Sequence, residues 1–479
     1  MIELTIAEVA AAVAGSISSD LYPDTRVTGD VVHDSRVVKP GDLFIAIIGE
    51  NSDGHDYVTS ALDAGAVAAI VAGSAAAGPT GGQGQITVAN TLTAFGDVAN
   101  AVVAACPELR VMAITGSSGK TSTKDILGQI LARYSPTVWP PESFNNELGM
   151  PTTVCAVTKE TRYLVLEMGA RGIGHIAALC RIARPDIAIA LNVGSAHIGE
   201  FGSQANIAHA KGEIVEALRP NGVAVLNADD PNVAGMAIRT EAAIRWFGSG
   251  RDTDVQVVDV ELDEIARVDL TLRIDQYTRR FALPLRGAHH ALNAAAAAAA
   301  ATAVGLSADQ VFDALEHVHQ ESRWRMEVTE TGDGTIIVND AYNANPESMA
   351  AGLRALAAMG RGRQTWAVLG EMRELGEGSM MAHDDVGRSA VRLGIDNLVG
   401  IGAACRPMVL GAASEGYYGS EAYYAPEVSD AAEYLATKVE AGDVVLVKAS
   451  RGVALEHLAA QLIENHGGAV VVPRQGDSR

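Results

Sequence analysis

Cysteine is scarce in this sequence of 479 residues. The four present, Cys106, Cys155, Cys180 and Cys405, are scattered and form no CxxC pair. That argues against a disulfide framework or a cysteine zinc site and suits a reducing cytoplasm, the expected location. Basic residues are also short: 36 Lys+Arg against 58 Asp+Glu give a formal charge of -22. Such a field repels phosphate backbones, so no nucleic-acid partner is expected. An anionic nucleotide could bind only where local cations, backbone N–H groups or a metal reverse the sign. The N-terminus, MIELTIAEVAAAVAG, carries Glu3 and Glu8 and lacks the basic start of a secretory signal. No apolar run matches the roughly 20 residues that span a bilayer, so no membrane insertion is expected. The most apolar candidate, Ala291–Leu306, is alanine-rich and reads as a buried helix. Internal repeats of about 20–50 residues are absent.

What is present is the composition of a globular protein, 48% hydrophobic and 20% charged, long enough for several domains. Up to about Ala105, strand-like runs such as Asp42–Ile48 alternate with helical runs such as Val58–Ala68. A second unit begins with strand Arg110–Thr115, turns at glycine and enters helix Thr121–Tyr134. Strand-like runs follow at Arg162–Glu167, Asp186–Asn192 and Gly222–Asn227, an alternation that predicts a parallel sheet covered by helices. Val268–Ile274 and Tyr277–Leu285 alternate with period two and predict a hairpin at Asp275-Gln276. After about Gln320 the pattern returns with strands Thr335–Asn339, Thr365–Leu369, Asn397–Ile401 and Asp443–Val447. The last residues, PRQGDSR, read as a frayed tail.

Chemistry concentrates at Gly116-Ser117-Ser118-Gly119-Lys120-Thr121, between an apolar strand and a helix. A phosphate loop needs that setting. Glycines let backbone N–H groups face the phosphates, the helix start adds positive potential, and the lysine reaches terminal oxygens. Thr121 offers a hydroxyl to Mg²⁺. The strict pattern G-x-x-x-x-G-K-[ST] is broken, because Ile114 occupies the first glycine position. Two further strands end in Glu167 and, through Gly194-Ser195-Ala196, in His197. Alone, Glu167 is more often a surface acid and His197 a loop histidine. On a parallel sheet, however, both share the carboxyl edge with the phosphate loop, where ligands bind. Ser143–Gly149 (SFNNELG) places Asn145 and Asn146 in a Pro-flanked loop, and Lys211 lies on a helical stretch after His197. Turn chemistry and a solvated lysine are the plainer readings of these two.

Together these segments resemble the Mur ligases over essentially the whole chain. Ile114–Asp125 (ITGSSGKTSTKD) is similar to the family's T-G-S-x-G-K-T loop, which also lacks the first Walker glycine. SFNNELGMP (Ser143–Pro151), LEMGAR (Leu166–Arg171) and NVGSAHIGEFGS (Asn192–Ser203) follow in the family's order. NDAYNANPESM (Asn339–Met349) and VLGEMRELG (Val368–Gly376) resemble the branch that adds D-alanyl-D-alanine. The implied fold is α/β in three domains. These are a small α/β N-terminal domain (1–107) for the UDP-sugar, a central P-loop parallel-sheet ATPase domain (108–320) and a C-terminal Rossmann-like domain (321–479).

The resemblance implies that residues 116–121 hold ATP, with Lys120 on the β/γ-phosphates. Thr121, Glu167, His197 and Lys211 would hold Mg²⁺, two ions in all, with Lys211 carrying a carbamate. Asn293 would face the adenine, and Arg325 and Asp340 would bring the C-terminal domain onto the nucleotide. Asp34, Ser35 and Arg36 would engage the UDP-sugar; Asn145, Asn146, Tyr342, Asn345 and Pro346 would line the remaining substrate sites. Lys448–Arg451 ends a strand at the same cleft. Several relatives have Asn where this chain has His290. The implied activity is ATP-dependent ligation of UDP-N-acetylmuramoyl-tripeptide to D-alanyl-D-alanine by a monomer, through an acyl phosphate. Two alternatives keep the same loop: another amide ligase of the superfamily, such as folylpolyglutamate synthase, or a protein that hydrolyses ATP only to change shape.

Overall fold

The computed structural model describes residues 1–49, 51–73 and 83–468, so the expected C-terminal tail lies outside the described residues. Three sheets dominate them, with a two-stranded ribbon of Leu4–Thr5 and Arg26–Val27 at the start. The first has five strands, four of them parallel: Val31–Val32, Leu43–Ile45, Ala68–Ala72 and Gln85–Val88. The helix expected over Val58–Ala68 is shorter, Val58–Asp63. Gly65, at a φ of 108° that favours glycine, turns the chain so that Ala68 already opens a strand.

The central sheet has nine strands. Seven run parallel, from Thr137–Val138 at one edge through Tyr163–Glu167, Arg110–Thr115, Ile187–Ala190, Val223–Asn227 and Ala243–Gly248 to Val255–Leu262. The hairpin Arg267–Ile274 and Tyr277–Arg286 completes it antiparallel, turning at Asp275 with φ 53°. Its inner strands are apolar without alternation because helices cover both faces. One cover is the alanine run, which forms helix His289–Ala303 with Ala294 to Ala301 fully buried. Methyl-sized side chains let it lie close against helix Lys120–Ala132.

The third sheet has six strands in the order Glu327–Glu330, Ile336–Asn339, Val444–Lys448, Thr365–Leu369, Asn397–Ile401 and Ala422–Ala425. All but the first are parallel neighbours. No helix among the described residues is long and apolar enough to cross a membrane.

The link between the second and third sheets is clamped to the helix Lys120–Ala132. Gln129 exchanges hydrogen bonds with the His319 backbone at 2.9 Å in both directions. Ser322 Oγ donates to Asp125 Oδ2 at 2.6 Å. Beside it Lys124, fully buried, pairs with Asp125 Oδ1 at 2.8 Å and donates to the Pro140 carbonyl at 2.5 Å. Removing one partner of such a pair strands the other charge in a dry interior. Lys124→Ala is expected to cost about 3–5 kcal/mol, read as a lower urea midpoint.

Candidate active site

Register places the reactive side chains. Glu167 pairs with Ile114, and Ala190 with Thr115, so three neighbouring strands end at one level where the loop Gly116–Gly119 begins. Ile114 is a fully buried strand residue, which accounts for a loop that starts later than the strict pattern. Gly119 has φ 81°, and a Cβ there would lie 2.6 Å from Asn293 Oδ1. The glycine thus serves both the turn and the close approach of the alanine helix.

Around this loop a cleft of about 1080 Å³ opens between the second and third sheets. Lys120 lies in it with Nζ donating to the Gly116 carbonyl at 2.7 Å. Burial lowers its pKa, Glu167 opposes that, and Arg325 adds to the lowering. Thr121 Oγ1 donates to Glu167 Oε2, and Ser143 Oγ and Asn145 Nδ2 donate to Oε1, each at 2.7 Å. Burial alone would raise the Glu167 pKa. Lys120, Arg325 and the Ser143 and Asn145 hydrogen bonds outweigh it and hold the carboxyl below its usual range. A buried, ionised carboxylate therefore faces a lysine across the end of the sheet.

His197 and Lys211 line the same cleft. His197 sits in the left-handed region at φ 62°, its Nδ1 against the Glu374 carboxylate. Burial lowers its pKa, Glu374 opposes this, and Lys120 and Lys211 reinforce it. Lys211, on helix Gln204–Glu216, is buried without a hydrogen bond or ion pair among the described residues. Burial first, and Lys120 second, drop its pKa well below the ordinary lysine value.

The opposite walls hold the other expected residues. Asn293 Nδ2 is buried with no partner among the described residues, a donor aimed at a ligand-sized space. The Arg325 guanidinium lies 4.1 Å from the Tyr342 ring centroid, and its buried Nε is likewise unpartnered. Asp340 accepts from Lys448 Nζ at 2.6 Å and from the Met326 N–H at 3.1 Å. Cations thus gather locally in a chain whose overall charge is -22. His290 is buried at the cleft edge, and burial, then His289, favours its neutral form.

Other expected residues have local work to do. Asn146 Oδ1 accepts the Gly149 N–H at 2.8 Å where a helix starts. Asn345 caps helix Pro346–Met359 by accepting the Ser348 N–H at 2.8 Å. Both also border the cleft, whereas Pro346 faces a smaller apolar pocket beside it. Asp34, Ser35 and Arg36 lie on the first sheet's unit, outside the cleft. There the Arg36 hydrogen bond holds the Asp34 carboxyl down to about 2. Among the described residues no group of three or more His, Cys, Asp or Glu is gathered as a preformed metal site. Sequence reading assigned no role to Ser143, Glu347 or Glu374, although each lies in a quoted segment.

Models of the Mur ligase family match in three blocks: its catalytic domain over 30–114, its middle domain over 114–301 and its glutamate ligase domain over 324–451. The chain belongs to the Mur ligase family. This Mur ligase is 43% identical to the UDP-N-acetylmuramoyl-tripeptide–D-alanyl-D-alanine ligase of Mycobacterium leprae, over 97% of this chain and 99% of that one. MurF from Acinetobacter baumannii superposes with a TM-score of 0.86 at 31% identity, covering 96% of this chain and 99% of that one. MurF ligase from Thermotoga maritima, solved in complex with ADP, gives 0.78 at 29% identity over 92% and 98%.

Proposed function

We propose that this Mur ligase uses ATP to join the carboxylate of UDP-N-acetylmuramoyl-tripeptide to the amine of D-alanyl-D-alanine, in cytoplasmic synthesis of peptidoglycan precursor. One observation carries the reading: Lys120, Thr121 and Glu167 open into the same cleft as Arg325 and Asp340 of the third sheet's unit. A nucleotide on one wall and an acceptor on the other suit a reaction of three substrates. Full-length relatives with the dipeptide-adding name favour it over a folate ligase or a nucleotide switch.

A free carboxylate is a poor acylating agent, because oxide would have to leave. Here a carboxylate oxygen attacks the γ-phosphorus, the bond to ADP breaks, and an acyl phosphate forms. The amine then attacks the acyl carbon and gives up a proton, and phosphate departs with the former carboxylate oxygen. Lys120 offsets the repulsion between the two reacting anions. The buried Glu167 carboxylate with the Thr121 hydroxyl 2.7 Å away is a set of hard oxygens that fits Mg²⁺. His197 would join it directly or through water. Burial favours the neutral Lys211 amine, the form that adds CO₂, and the resulting carbamate would be a further anionic ligand. When bound, the cation supplies charge neutralisation and polarises the phosphoryl oxygens. The third sheet's unit shields the acyl phosphate from water.

The test is phosphate release from ATP and Mg²⁺ with UDP-muramoyl-tripeptide, with and without D-alanyl-D-alanine. Sustained release is expected only with both. Release indifferent to the amine would point to the nucleotide switch, and release with folate and glutamate to the sister enzyme.

A further inference from the structure

Val368–Gly376 (VLGEMRELG) has no part in the chemistry above, yet it reaches the cleft. Glu374 follows the strand Thr365–Leu369 and has φ 65°, a costly conformation for glutamate. Its backbone carbonyl accepts the Gly199 N–H at 3.0 Å. Beside that bond two glycine backbones touch: a Cβ on Gly199 would lie 2.6 Å from Gly376 N, and one on Gly376 would lie 2.9 Å from Gly199 Cα. Only this approach lets the Glu374 carboxylate reach His197 Nδ1. The nearest other acid, Glu200, is 3.9 Å from the same nitrogen. His197 Nε2 has no hydrogen bond among the described residues. A second carboxylate of the same unit, Glu347, accepts the Ser195 N–H at 2.7 Å. The third sheet's unit therefore holds both ends of Ser195–Gly199.

We infer that Glu374 is a positioning residue: by holding Nδ1 of His197 it presents Nε2 to the divalent cation, and only while the C-terminal unit is docked. This rests on the ligase reading above, in which His197 serves the cation. A carboxylate behind a ligating imidazole fixes the tautomer and ring orientation and strengthens the ligand. Here that carboxylate belongs to the third sheet's unit, on the far side of the cleft from the loop Gly116–Gly119. Cation affinity and closure would thus be linked, since each favours the other.

The test is Mn²⁺ titration by electron paramagnetic resonance with saturating ADP, on the parent, Glu374→Ala, Glu374→Gln, His197→Ala and the double alanine variant. Melting temperature and metal-free ADP affinity serve as folding controls. Glu374→Ala is expected to weaken Mn²⁺ about 10-fold, with metal-free ADP affinity unchanged. Glu374→Gln, which keeps the side chain's length and an oxygen beside Nδ1 without the charge, is expected to fall between it and the parent. In the His197→Ala background, loss of Glu374 is expected to add nothing. Unchanged Mn²⁺ affinity in Glu374→Ala, or equal losses in both backgrounds, overturns the inference and leaves the ligase reading standing. Unchanged affinity in His197→Ala alone overturns the cation role of His197, and the inference with it.

Discussion

Replacing Lys120 by alanine is expected to lower turnover about 10³-fold while leaving the fold intact. Among the described residues the Lys120 ammonium makes one hydrogen bond, to the Gly116 carbonyl, and its half-buried setting disfavours the charge. Alanine removes that cost along with a cation that steadies Glu167, but the Thr121, Ser143 and Asn145 hydrogen bonds to Glu167 remain, so melting should move little. The loss is catalytic because two anions must meet: the substrate carboxylate and the γ-phosphate. Backbone N–H groups orient phosphates but carry only partial charge. Lys120 brings a full cation at the helix start, opposite Glu167. Steady-state kinetics with circular dichroism checks this. Turnover within about tenfold of the parent would mean the phosphates lie elsewhere.

The second large effect has two opposite signs in one variant. Lys211→Met is expected to reduce turnover about 10²-fold yet raise stability at neutral pH by about 1–2 kcal/mol. Lys211 is buried and has no ion pair among the described residues, and burial lowers its pKa below that of the unfolded chain. Between those two values the unfolded chain binds one more proton than the folded one. The stability of the parent therefore rises with pH across that window. Methionine has no such dependence, so its advantage should shrink as pH climbs toward the free-lysine value of roughly 10.4. Urea unfolding of both proteins from pH 7 to 10, in bicarbonate-free buffer, measures the difference. A less stable Lys211→Met at pH 7 would show that the lysine has a partner. The same pair tests the carbamate: ¹³C-bicarbonate should give a carbamyl resonance in the parent and none in the variant.

Much of this was legible in the residues, unevenly and for physical reasons. Strands Arg110–Thr115, Thr365–Leu369 and Asn397–Ile401 coincide with their expected bounds, because buried parallel strands are short apolar runs closed by polar turns. The hairpin at Asp275 stood out through its period-two alternation. Ala243–Gly248 and Val255–Leu262 were not singled out: the first carries Arg245 and Trp246, and the second turns polar toward its end. The cleft's Lys120, Thr121, Glu167 and His197 followed from one argument, that parallel strands end together. Glu347 and Glu374 did not follow from it. Their roles depend on how the third sheet's unit docks, and no local pattern encodes the approach of Gly199 to Gly376. The cap formed by Asn345 had a signal in the Asn-Pro pair, which marks a helix start as well as a binding loop.

The account stands on the substrate carboxylate itself being phosphorylated in the cleft between Lys120 and Glu167. The direct measurement uses UDP-N-acetylmuramoyl-tripeptide labelled with ¹⁸O in its reacting carboxylate, turned over with ATP, Mg²⁺ and D-alanyl-D-alanine. Mass spectrometry of the released phosphate should find one ¹⁸O atom for each amide formed. Amide formation with unlabelled phosphate, the departing labelled oxygen being lost to water instead, would contradict it.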